Sequence, residues 1–131
     1  MRNFFILFFL ALIAACSGKP SGPDDASLAV QAAKVYYDQL LKGDYESFVK
    51  GRYQPTAMPE SLHRQLVANA KMFVAQQEKE HRGIKSVAVS EGRADTTHHV
   101  ANAFLTFSYG DGTKEQVVVP MVEVKKVWYM R

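Results

Sequence analysis

Of the 131 residues only one is cysteine, Cys16. That excludes a disulfide framework and any Cys-x-x-Cys metal or redox pair. No His-Glu-x-x-His run occurs. There is no Ser-His-Asp order of the hydrolase kind, and no glycine-rich loop follows a strand-like run. Charge of one sign is also missing: 16 basic residues against 13 acidic ones give +3 with histidine neutral. This is too little to form a nucleic-acid-binding surface. After residue 15 no apolar run is long enough to cross a bilayer. Internal repeats are absent. A chain of this length makes one domain, since domains run to about 100–150 residues.

The hydrophobic residues are unevenly spread. Residues 1–15 hold 13 of the 62, and four of the eight phenylalanines. Arg2 precedes an unbroken apolar run of nine residues, Phe4 to Leu12. The run is too short to span a ~30 Å hydrocarbon core, so it reads as a targeting segment. It leads into Ile13-Ala14-Ala15-Cys16. That order resembles the bacterial lipobox, in which the cysteine is acylated and the chain is cut just before it. The resemblance implies a signal peptide over 1–15 and a lipid anchor on Cys16. The plainer alternative is an ordinary signal peptide with an incidental cysteine. Ser17-Gly18-Lys19-Pro20-Ser21-Gly22-Pro23-Asp24-Asp25 cannot form a core and reads as a tether over 16–25. Serine rather than aspartate after Cys16 matches sorting to the outer membrane. The expected location is therefore the bacterial cell envelope.

The rest, 26–131, reads as one domain. Over 26–42, Ala29, Ala33, Tyr36 and Leu40 share a helical face, flanked by Leu28, Ala32, Tyr37 and Leu41. Asp24 or Asp25 suits its start and Gly43 its stop. A short helix is expected from Asp44 to Gly51. A third, introduced by Pro59, runs to about Arg82 with Leu62, Leu66, Val67, Ala70, Phe73 and Val74 on one side. After Gly83 the period changes to two. Val87 and Val89 alternate in a first strand, and Glu91 to Asp95 reads as a turn. A second strand runs from His98 to Tyr109, with Ala101, Ala103, Leu105, Phe107 and Tyr109 on one face. Gly110-Asp111-Gly112 is a hairpin turn, followed by strands over Thr113–Glu123 and Val127–Met130. Pro120 implies an edge or a bulge. The fold class is α+β: N-terminal helices packed on a curved four-stranded antiparallel sheet.

Three stretches carry a family resemblance. They are Ala33 to Tyr45, Phe107 to Thr113, and Val122 to Met130 with Trp128. The chain resembles the nuclear transport factor 2-like superfamily, with its cystatin-like α+β cone. Within it, the chain is similar to small bacterial lipoproteins of a lumazine-binding-like family without known function. That family turns with a glycine before its last strand. Here the segment is Val124-Lys125-Lys126-Val127, which predicts a wider connection.

Superfamily enzymes place an acid/base carboxylate in an apolar cone. Asp38 lies opposite the apolar helix face, beside Lys34 and Lys42. Asp44 and Asp111 suit cap and turn. No carboxylate is directed inward, so no catalytic set is assigned. His98 and His99, adjacent on a strand, would point to opposite faces and not share a metal. No metal site and no cofactor is expected. His63, Gln77 and His81 fall toward the apolar side of the third helix. They either line a pocket or, for the histidines near the helix ends, reach solvent. Tyr36, Phe73, Phe107, Tyr109 and Trp128 are candidate pocket-lining residues, or simply core. The functional expectation is a non-catalytic module, anchored to the membrane through Cys16, that binds a small ligand or an envelope protein. The alternative is an isomerase or hydrolase working in the cone. An exposed sheet face with Val100, Phe104 and Val118 permits a homodimer.

Overall fold

The structure of the protein, a computed structural model, describes residues 24–131. The expected signal segment, Cys16 and the expected tether up to residue 23 lie outside the described residues. Asp24 and Asp25 already belong to the domain. The Asp24 carboxylate accepts the Ser27 N–H at 2.8 Å and opens helix α1, Asp25–Leu41. Gly43, at φ +83°, takes the left-handed position that stops it. Asp44 caps α2, Tyr45–Lys50, in the same way, accepting the Ser47 N–H. Helix α3, Glu60–His81, starts directly after Pro59 and ends in two left-handed residues, Arg82 and Gly83. Among the described residues no helix is long and apolar enough to cross a membrane.

Four antiparallel strands follow in the order β1-β2-β3-β4: Ile84–Asp95, Val100–Tyr109, Lys114–Val124 and Val127–Met130. On β2 the expected alternation holds. Ala101, Ala103, Leu105, Phe107 and Tyr109 are all buried. Helix α1 lies across β1 and β2 and supplies most of the packing. Its buried stripe is Ala29, Val30, Ala33 and Leu40, while Leu28 stays 43% exposed. The stripe is thus rotated toward Val30, because the curved sheet wraps one flank of the helix. Small side chains at Ala29, Ala33, Ala101 and Ala103 let helix and sheet approach closely. Helix α3 is held more loosely: Ala70 is its only buried residue, and Met72 is 68% exposed.

Three sequence expectations need correction. Glu91–Asp95 is not a turn. Strand β1 runs on through it, with Asp95 opposite Val100. Gly92 is there because a side chain would strike α1: a Cβ would lie 2.4 Å from the Ala26 carbonyl oxygen. Irregularities between Ile84 and Ser86 and between Val89 and Glu91 bend the strand. The real turn is Thr96–His99, where the Asp95 carboxylate accepts the N–H groups of Thr97 and His98. His98 and His99 therefore sit in a turn and not on a strand.

The second correction is Pro120, which lies in an inner strand with no bulge against β2. It is tolerated because β4 has already ended beside it. The Arg131 N–H donates to the Pro120 carbonyl, so the proline nitrogen faces the same side, where only Arg131, past the end of β4, lies beside it. The third is the last hairpin. Val124 pairs directly with Val127, so Lys125 and Lys126 form a tight two-residue turn with φ 51° and 66°. Burial of Met121, Trp128 and Met130 sets the register, and the lysines accept the left-handed backbone.

Candidate functional site

Where β4 stops, α3 stands off from β3 and leaves a cleft of about 330 Å³. Leu66, Asn69, Ala70 and Phe73 form its helical wall, spaced so that all four share one face of α3. Val119 and Met130 form the floor, with Val118 and Pro120 along the β3 side. Tyr37, Phe48 and Val49 close one end. The Tyr37 ring meets Phe48 edge-on at 5.3 Å and Phe107 at 5.4 Å, which fixes this wall. Burial pushes the Tyr37 phenol above its usual pKa, so it stays neutral.

Two cations stand at the rim, Arg52 and Arg131. The Arg52 backbone is held by its neighbours. The Tyr53 N–H donates to the Met130 carbonyl and the Met130 N–H to the Gly51 carbonyl, each at 2.8 Å. Gly51 is packed under the Tyr36 ring, whose Cδ1 would lie 2.5 Å from an added Cβ. Among the described residues neither arginine forms an ion pair with a carboxylate. The described lining holds no aspartate, glutamate, histidine, serine or cysteine. It can take up apolar groups and attract an anion. It has no acid/base pair to move a proton.

Of the residues singled out in the sequence, Phe73 lines this cleft. Gln77 lines a separate hollow of about 140 Å³ with Leu41, Val74 and Ile84. His63 pairs with Glu46 at the start of α2. The His81 ring stacks on Tyr109 at 4.3 Å, and its Nδ1 lies 3.2 Å from Asp111. The three polar candidates are therefore held apart. Phe107, Tyr109 and Trp128 are core residues. The Tyr36 hydroxyl donates to the Trp128 carbonyl at 2.6 Å, and desolvation and then the neighbouring Tyr129 raise its pKa. Asp38 pairs with Lys34 at 2.6 Å. Cys16 lies outside the described residues. The sequence reading missed Arg52, Asn69 and Arg131. Asn69 was detectable, three residues after Leu66 and four before Phe73 on the apolar stripe. Arg52 carried no local signal.

The fold has counterparts among solved structures. One is a Campylobacter jejuni protein described by inference as a nuclear transport factor 2-like transpeptidase. It superposes with a TM-score of 0.61 at 13% identity, over 76% of this chain and 94% of that one. The fold is nuclear transport factor 2-like. No family model and no curated protein matches the sequence. At 13% identity the likeness concerns the fold alone.

Proposed function

We propose that this chain is an envelope lipoprotein, anchored through acylated Cys16, whose nuclear transport factor 2-like domain binds a partner in the cleft without chemistry. The observation that carries the reading is the composition of the cleft lining: apolar walls, one asparagine, one half-buried phenol and two unpaired arginines. Such a surface selects an apolar group that bears negative charge. The lipobox-like Ile13 to Cys16 and the Gly/Pro/Ser tether supply the anchor. The similarity to small bacterial lipoproteins of a lumazine-binding-like family supports the same assignment. The transpeptidase description belongs to the Campylobacter protein; the described cleft lining here holds no serine or cysteine.

Binding of anilinonaphthalene sulfonate, an apolar fluorescent anion, tests the reading. The full chain should bind it saturably. Ala70→Trp, which fills the cleft, should weaken binding about tenfold or more. Arg52→Ala should weaken it less and reduce its salt dependence. Circular dichroism must show that each variant stays folded, because this probe also stains molten states. Equal binding by the folded Ala70→Trp variant would refute the cleft as the site.

A further inference from the structure

The cleft is bordered by an open backbone edge as well as by side chains. The Glu123 N–H donates to the His99 carbonyl, so the odd-numbered residues of β3 turn their backbone groups toward β2. The even-numbered residues turn theirs the other way, as the bond from Arg131 to Pro120 shows. On that side β4 pairs only with Met121 to Val124. Among the described residues, Lys114 to Val118 has no strand partner there. The N–H and C=O groups of Gln116 and Val118 are therefore unpaired on that side, and Val118 lines the groove. Open edges are normally protected by charge, bulges or a covering element. This one carries Val117, Val118 and Val119 in succession, with Val118 51% exposed. Pro120 and Arg131 close it at one end.

The surroundings restrict what can enter. Helices α2 and α3 flank the groove, and its volume of about 330 Å³ suits a few side chains, not a folded domain. The unpaired Arg52 and Arg131 make the rim positive, and at the start of the open edge Lys114 stands next to Glu115, whose carboxylate accepts the Tyr109 hydroxyl at 3.2 Å. We propose that this edge receives an extended acidic segment of another protein, which adds as a strand beside Lys114–Val118. Alternate apolar side chains of that segment enter the cleft, and its acidic ones meet the arginines. The inference rests on the cleft-binding reading above and assigns its partner class.

The test uses the full chain and a capped peptide of about six residues alternating Glu and Val, a length matched to the open edge at ~3.3 Å per residue. Hydrogen exchange at the Gln116 and Val118 amides should slow about tenfold or more at saturation. A copy N-methylated at alternate amides should bind about tenfold more weakly, and so should the Lys-Val counterpart. Val118→Pro removes one edge N–H that the fold does not use. It should keep its melting temperature and lose the protection at Gln116. If that variant unfolds, the N-methylated peptide still decides, since binding equal to the parent overturns strand addition. Unchanged exchange under saturating Glu-Val peptide also overturns it. If dodecanoate or anilinonaphthalene sulfonate fills the cleft but the peptide does not bind, strand addition falls and the cleft-binding reading stands. If no probe binds, both fall.

Discussion

Asp111 illustrates how much one turn residue can carry. Its carboxylate accepts the Thr113 hydroxyl at 2.6 Å and the Thr113 N–H at 2.9 Å, with His81 at 3.2 Å. These bonds, the Thr113 hydroxyl first, hold its pKa down from 3.8 to about 2. A depressed carboxylate stabilises the fold fully above its unfolded pKa. The contribution is lost as pH falls from there through about 2. Asp111→Asn should therefore flatten the acid limb of stability, read from urea unfolding between about pH 5 and 2; parallel limbs would contradict it. Leu105 is fully buried, and Leu105→Ala should lower the unfolding free energy by about 3 kcal/mol in the same assay. Gly92 marks the limit of local reading. A glycine among polar residues signals a turn, yet this one is required by the Ala26 carbonyl, a contact made only once α1 docks. Arg52 was equally invisible, because its place at the rim depends on pairing of Gly51 and Tyr53 with Met130.

The elements were legible wherever one face was clearly apolar. Strand β2 alternates without a break, and the Asp24 and Asp44 caps locate two helix starts. The last hairpin was not legible, because its register comes from burial of Trp128 and Met130 and not from its turn residues. Lys125 and Lys126 hold positive φ against their preference. Replacing them by Asn-Gly should stabilise the protein by about 1–2 kcal/mol, seen as a higher denaturant midpoint at constant slope. No gain would mean that the lysines are not strained there. Helix α3 follows from its sparse burial. Its amides should exchange faster than those of α1, and a bound occupant of the cleft should narrow the gap. Equal protection in the free protein would show that α3 is docked more firmly than its contacts suggest.

At the scale of the whole molecule, a chain sharing 13% identity with the Campylobacter protein reaches a similar fold. In this chain the fold is a pattern of helices first, then a four-stranded meander packed on one of them. That pattern was readable from periodicity. The cleft was not, since it arises where β4 is shorter than β3 and α3 stands away. The proposed anchor has its own test: Cys16→Ala should abolish lipid labelling and release the protein from membranes, and unchanged membrane association would remove it. The central claim is that the cleft works by holding a partner. The most direct measurement is photo-crosslinking in the cells that make the protein, with a benzophenone side chain at Leu66 in the cleft or at Met72 on the outer face of α3. The account predicts a discrete adduct from position 66 that Ala70→Trp abolishes, and none from position 72. Identical labelling from both positions, or none from either, would contradict it.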